Sequence, residues 1–167
     1  ELYPPLYLIQ AKTRRRMQAI IFCGIQGSGK STFYKEYFFH THLRISLDLL
    51  RTRHREQLFL EACLSTQLRF VVDNTNPTKA ERQKYIEMAR ANRYEVIGYF
   101  FETGVQEAVT RNNTRTGRFK VPEKGIYGTL KRLQVPTMEE GFDRLYRVRL
   151  LPTGDYYTQL IEQAAED

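Results

Sequence analysis

Gln18-Ala19-Ile20-Ile21-Phe22-Cys23-Gly24-Ile25-Gln26-Gly27-Ser28-Gly29-Lys30-Ser31 is the stretch that decides the fold. Its first six residues are an almost unbroken apolar run, suited to a parallel strand buried on both faces. The next eight fit G-x-x-x-x-G-K-[ST], directly after that strand and directly before a helical stretch, Lys30–Phe39. Glycines allow backbone conformations that a side chain forbids, so successive N–H groups can turn inward on a phosphate. The start of the helix adds partial positive charge. On this reading Gly27, Ser28, Gly29, Lys30, Ser31 and Thr32 grip the phosphates of a nucleoside triphosphate. Lys30 reaches the β and γ phosphates, and Ser31 offers its hydroxyl to Mg2+. The motif speaks for the donor side only, and it does not choose between ATP and GTP.

Outward from the loop, strand and helix patterns alternate. Leu43–Leu47 reads as a second strand, Leu49–Leu68 as one long helix, and Phe70–Asp73 as a third strand ending on a carboxylate. Thr78 and Glu81 have the spacing of a capping box that opens a helix to about Ala91. Tyr94–Phe101 is a fourth strand. Thr103 and Gln106 repeat the capping spacing ahead of a helix to about Thr114. Pro122 suits the first turn of a helix ending near Leu133. Arg144–Leu150 is expected as a last strand and Tyr156–Ala165 as a terminal helix, with Tyr156 and Tyr157 packing it. The alternation predicts a three-layer α/β fold, a central parallel sheet with helices on both faces. Residues 17–167 form the domain, and residues 1–16 are expected to be a linker or N-terminal extension.

The 167 residues suffice for one domain with its own core, without disulfides or a structural metal. No apolar run approaches the length of a membrane span, and Leu6–Ile9 is too short for a signal peptide. Cys23 and Cys63 show no metal-ligand spacing and are expected to be reduced core residues of a cytoplasmic protein. His40, His42 and His54 are expected at the surface or in loops. The aromatic Phe33–Phe39 stretch reads as core packing. The net charge of +7 suits either a nucleic acid or a phosphorylated small molecule.

Transfer of a phosphate needs an acceptor site as well. Asp73, at the end of an apolar strand, is a candidate for the magnesium shell, acting through water. Asp48, at the end of Leu43–Leu47, belongs on the same sheet edge as the glycine loop and can accept a hydroxyl proton. It can equally be the N-cap of the following helix. Arg51 shares a helix face with Asp48 and can hold an acceptor phosphate. Arg111 and Arg115 lead into the basic stretch Arg115–Lys120, either a lid closing over the triphosphate or a solvated basic face.

These residues, read together, resemble a family. Gly24–Ser31-Thr32-Phe33, Leu47-Asp48-Leu49-Leu50-Arg51 and Val72-Asp73-Asn74-Thr75-Asn76-Pro77 are similar to segments of the 5′-hydroxyl polynucleotide kinases of nucleic-acid end repair. Arg111–Arg115, Val121-Pro122-Glu123 and Pro136–Phe142 resemble that family's lid, the helix after it and the segment before its last strand. The resemblance covers about Gln18 to Leu150 and implies a P-loop kinase fold with a helical lid. It implies Asp48 as general base on the 5′-hydroxyl of DNA or RNA and Arg51 on the phosphate 3′ of the terminal nucleotide. Lys30 and Arg115, with Arg111, would stabilise the transferring phosphate, with Ser31 on Mg2+ and Asp73 in its shell. The basic content and length of Arg115–Lys120 depart from the pattern. Family members commonly adjoin a phosphatase, phosphoesterase or ligase, so a place in a larger end-repair protein or pathway is expected. Two other readings stand beside this one. A small-metabolite or nucleoside kinase would use the same donor site, and an NTP-binding regulatory module would not need Asp48.

Overall fold

The computed structural model describes residues 16–165. The linker expected over residues 1–16 therefore falls almost wholly outside the described residues. In chain order the elements are β1 (Gln18–Cys23), α1 (Lys30–Tyr37), β2 (Leu43–Ile45), α2 (Leu47–Leu50), α3 (Arg53–Thr66) and β3 (Phe70–Val72). They continue with α4 (Lys79–Ala91), β4 (Glu95–Phe101), α5 (Val105–Asn113), α6 (Glu123–Arg132), β5 (Arg144–Leu150) and β6 (Tyr156–Gln163). The six strands form one sheet in the order β2-β3-β1-β4-β5-β6, with the first five parallel and β6 antiparallel.

The period-2 alternation of β1 explains the layers. Ala19 and Ile21 face one core, with Leu60, Cys63 and Leu64 of α3 and Tyr85, Ile86 and Ala89 of α4. Ile20 and Phe22 face the other, with Phe33, Tyr34 and Phe38 at α1. A smaller cluster at one end joins Ile25 to Ala108 and Val109 of α5 and Ile126 of α6. The sheet thus has helices on both faces, as the alternation predicts. The aromatic stretch packs only in part: Phe33, Tyr34 and Phe38 are buried, whereas Phe39 is exposed. Both cysteines are free and buried.

Several expectations need correction. The long helix over Leu49–Leu68 is two helices, broken at Arg51, which has φ 72°. The terminal helix is the strand β6. Gly154 at φ 92° turns the chain back after β5, and pairing with β5 from Leu150↔Tyr156 onward satisfies the backbone. A sequence rich in Tyr, Thr and Ile favours that pairing once a partner edge is available. The Thr103–Gln106 box does not form, because α5 starts one residue later with Gly104 at the cap. Pro122 occupies the N-cap position of α6 and not its first turn. His42 is buried, with Nε2 3.2 Å from Gln18 Oε1 and Nδ1 2.7 Å from Thr41 Oγ1, and burial lowers its pKa to about 4. The Thr78–Glu81 capping box is present with both reciprocal bonds.

Arg82 of α4 is fully buried and locks the loop after β3. Its Nε and Nη2 donate to Glu140 Oε1 and Oε2 at 2.7 and 2.9 Å, and Nη1 donates to the carbonyls of Asn76 and Pro77 at 2.9 and 3.1 Å. Removing one partner of a buried pair strands the other charge away from water. Arg82→Met is expected to lower the unfolding free energy in urea by ~3–5 kcal/mol, with part of the loss recovered in the Arg82→Met/Glu140→Gln double variant.

Candidate active site

The glycine loop leaves β1 and enters α1 at Lys30, a helix whose N-cap, Gly29, has φ 93°. Gly27, at φ 78°, is pressed so closely on α5 that an added Cβ would lie 2.5 Å from the Ala108 carbonyl oxygen. Lys30 is buried and folds back onto the loop, donating from Nζ to the carbonyls of Gly24 and Ile25 at 2.9 and 2.8 Å and to Ser28 Oγ at 3.3 Å. Burial pulls its pKa down to about 8, against an opposing pull from Asp73 and with a further push from Arg115.

Asp73–Pro77 is a hub of hydrogen bonds. Asp73 Oδ2 accepts from Ser31 Oγ at 3.0 Å and from Arg44 Nε at 2.8 Å. Asn74 Oδ1 accepts from the Leu47 amide at 2.9 Å, and its Nδ2 donates to Glu56 Oε2 at 2.9 Å. The Thr75 carbonyl accepts from the Gly24 amide at 2.9 Å, and Asn76 Nδ2 donates to the Phe22 carbonyl at 2.8 Å. The end of β3 is thereby tied to β1, to the glycine loop and to the β2–α2 turn. Glu56 is fully buried; burial pushes its pKa up, but bonds from Lys84, Tyr85 and Arg53 outweigh this and hold it below its ordinary value.

Asp48 lies in the first turn of α2, exposed, in a cleft of about 820 Å³ that Lys30, Ser31, Asp73, Arg51 and Arg115 also line. It is close enough to Lys30 to favour the charged ammonium. Neither neighbouring helix uses it as a cap: Ser46 occupies the N-cap position of α2, and Thr52 caps α3 through the Arg55 amide. Arg51 sits between them in a tight turn, with φ 72° and ψ −32° and the Thr52 amide donating to the Leu50 carbonyl at 2.9 Å. A three-residue turn with a non-glycine centre at positive φ is strained, and such strain concentrates at functional sites.

Of the residues singled out from the sequence, Gly27, Ser28, Gly29, Lys30, Ser31, Asp48, Arg51, Asp73 and Arg115 share this cleft. Thr32 and Arg111 are not among its lining residues. Thr32 is exposed one residue beyond the loop. Arg111 donates to the carbonyls of Gly27 and Leu150 at 3.2 and 3.5 Å and pairs with Glu107 at 3.4 Å. The lid stretch is pinned at its base by Asn112, whose amide side chain exchanges hydrogen bonds with both backbone groups of Val121.

Sequence reasoning passed over Arg44, Glu56, Arg53 and Asn112 as site residues, and it read Tyr156 only as packing for a terminal helix. Tyr156 donates to the Gly29 carbonyl at 2.7 Å, which holds β6 against the glycine loop. Arg44 meets Asp73 and Ser31, 29 and 13 positions away in sequence, and no local pattern announces it. Glu56 bonds Asn74 and Tyr85, 18 and 29 positions on, while Arg53 and Asn112 have nearer partners in Glu56 and Val121.

No protein-family model matches the chain. It is 32% identical, over 80% of its length and 34% of the relative's, to an inferred bifunctional polynucleotide phosphatase/kinase of Acanthamoeba polyphaga mimivirus. It is 26% identical, over 87% of its length and 36% of the relative's, to a bifunctional polynucleotide phosphatase/kinase of Schizosaccharomyces pombe. The chain is homologous to polynucleotide phosphatase/kinases. It spans about a third of the length of these curated relatives. A gluconokinase from Sinorhizobium meliloti superposes with a TM-score of 0.57 at 22% identity, over 81% of this chain and 83% of its own. A chain of the Pnkp1/Rnl/Hen1 RNA repair complex gives 0.59 at 24% identity, over 75% of this chain and 46% of its own. At these identities the two structures speak for the fold alone, the α/β fold of P-loop kinases.

The strained turn makes a prediction of its own. Arg51→Gly is expected to leave the unfolding free energy level or slightly raised, within ~1 kcal/mol, while Arg51→Val lowers it by ~1–3 kcal/mol. Denaturant titration checks both, and equal losses would show that the turn stores no strain.

Proposed function

We propose that this chain transfers the γ-phosphate of ATP or GTP to the 5′-hydroxyl end of DNA or RNA, with Asp48 as the general base. The observation that carries the reading is the juxtaposition in one cleft of Asp48, free of any capping duty, with the glycine loop and Lys30. The names of the homologous relatives support a polynucleotide acceptor and a place in end repair.

The chemistry follows from the lining residues. A 5′-hydroxyl lodged beside Asp48 can give up its proton to that carboxylate as the oxygen attacks the γ-phosphorus, while the bond to the β–γ bridging oxygen breaks and the nucleoside diphosphate leaves. Arg51 and Arg53, both in the cleft, offer guanidinium groups to the phosphate on the 3′ side of the terminal nucleotide. Lys30 and Arg115 stabilise charge on the transferring phosphoryl group from the donor side. Arg111, bonded to the Gly27 carbonyl, stands beside the loop, from where it would join Arg115 on the donor phosphates.

A divalent cation is part of the proposal. Ser31 Oγ and Asp73 Oδ2 stand 3.0 Å apart, and Asp73 is nearly fully buried with a cationic partner. Among the described residues no cluster of three or more His, Cys, Asp or Glu could hold a metal on its own. The Ser31 hydroxyl as a direct ligand, with Asp73 holding a metal-bound water, fits Mg2+, which keeps several waters and takes its remaining ligands from substrate phosphates. Bound there, it would neutralise charge on the β and γ phosphates.

Labelled phosphate transfer to 5′-hydroxyl oligonucleotides, set beside nucleosides and sugars as acceptors, tests the reading. Product on the oligonucleotides is expected; product on small acceptors alone would point to a metabolite kinase. Asp48→Ala should reduce turnover by roughly 10²–10⁴-fold while nucleotide affinity stays within about threefold. Equal loss of both would make Asp48 structural.

Lys30 adds a pH signature. Its folded pKa lies below the ordinary lysine value, so the free protein sheds this proton as pH rises through about 8. A triphosphate beside it favours the charged form again, and binding near pH 8.5 should take up a proton. Calorimetry in buffers of different ionisation enthalpy reads that uptake, and Lys30→Met should abolish it.

A further inference from the structure

Arg44 is the cleft residue that the proposed chemistry leaves without a task. It projects from β2, and its guanidinium bonds both side chains assigned to the metal. Nε donates to Asp73 Oδ2 at 2.8 Å, and Nη2 lies 2.8 Å from the same oxygen and donates to Ser31 Oγ at 3.0 Å. Ser31 Oγ itself donates to Asp73 Oδ2 at 3.0 Å, so one nitrogen of Arg44 spans the pair. The Asp73 side chain is 2% exposed and that of Arg44 is 25% exposed. A carboxylate so deeply placed needs positive partners; Arg44 pairs with it directly, and the Lys30 ammonium acts on it from farther off. The guanidinium lies 5.8 Å from the centre of the Tyr34 ring on one side and opens into the cleft on the other.

We propose that Arg44 is a built-in counter-cation, and that a divalent metal ion competes with its guanidinium for Ser31 and Asp73. The inference rests on the metal position assigned above. A metal held by Ser31 directly and by Asp73 through a bound water needs the same hydroxyl and carboxylate oxygen that the guanidinium occupies, and two cations cannot share them without strong repulsion. In the absence of metal, Arg44 keeps the start of α1 joined to the end of β3 and so keeps the loop assembled. Metal entering these oxygens displaces the guanidinium toward the cleft, where its charge is unfavourable unless an anion is present. Metal and triphosphate therefore enter together, because the phosphates compensate the arginine that the metal displaces.

The test uses Mn2+ as the probe. Electron paramagnetic resonance titration of the nucleotide-free protein should show weak Mn2+ binding in the natural chain and binding about tenfold tighter in Arg44→Gln. Arg44→Lys, which keeps the charge, should bind as weakly as the natural chain. Thermal melts should show Arg44→Gln below the natural chain in EDTA, with the gap closed or reversed in millimolar Mn2+. The proposal is overturned if Arg44→Gln binds Mn2+ no tighter than the natural chain, if Arg44→Lys binds it as tightly as Arg44→Gln, or if the melting deficit is the same in both media. The last result would mark Arg44 as a structural residue only. Phosphate transfer, measured on the same preparations, stands apart. Competition without transfer would sink the proposed activity and leave Arg44's role intact, and transfer without competition would do the reverse.

Discussion

The ends of three parallel strands are held together by the side chains and carbonyls of Asp73-Asn74-Thr75-Asn76-Pro77. A parallel sheet pairs its strands only along their length; what lies beyond the carboxyl edge must find its own hydrogen bonds. Here Asn76 returns to the last turn of β1, Thr75 receives the first amide of the glycine loop, and Asn74 receives the amide that opens α2. Asp73 then reaches Ser31 at the start of α1. Without these bonds the glycine loop and the β2–α2 turn would be independent loops. With them, Lys30, Asp48 and Asp73 line one cleft.

Buried charge secures this arrangement from beneath. Arg82 is spent on the carbonyls of Asn76 and Pro77 and on Glu140, and Glu56 on Asn74, Tyr85, Lys84 and Arg53. Both groups are fully buried, and satisfied networks of this kind fix a geometry more sharply than apolar contact does. Two basic side chains of the cleft are different. Arg51 and Arg118 are exposed and open to a phosphate backbone, whereas Arg53 reaches the cleft while bonded to Glu56 and Tyr85.

Much of the fold was legible because its signals are local. The apolar run of β1, the glycine loop, the strand ending at Asp73 and the Thr78–Glu81 box each depend on residues within a few positions. The misreadings arose where a distant partner decides. Tyr156–Gln163 becomes a strand only because β5 presents an edge, and Arg51 turns at positive φ although nothing in its own segment demands it. The site divides in the same way. Lys30, Ser31, Asp48 and Asp73 could be named from spacing and resemblance, whereas Arg44, Asn112 and Glu56 act through contacts that spacing does not reveal. Arg111 departs from what helical spacing suggests, because it bonds the Gly27 carbonyl and does not line the cleft with Arg115.

The central claim is that Asp48 meets a nucleic-acid terminus across from the triphosphate. A structure of the chain with a non-hydrolysable triphosphate, a divalent cation and a short 5′-hydroxyl oligonucleotide tests it most directly. The terminal oxygen should lie within hydrogen-bond reach of the Asp48 carboxylate, ~2.6–3.2 Å, and in line with the γ-phosphorus. A terminal oxygen held by other groups, with Asp48 turned to solvent, would contradict it.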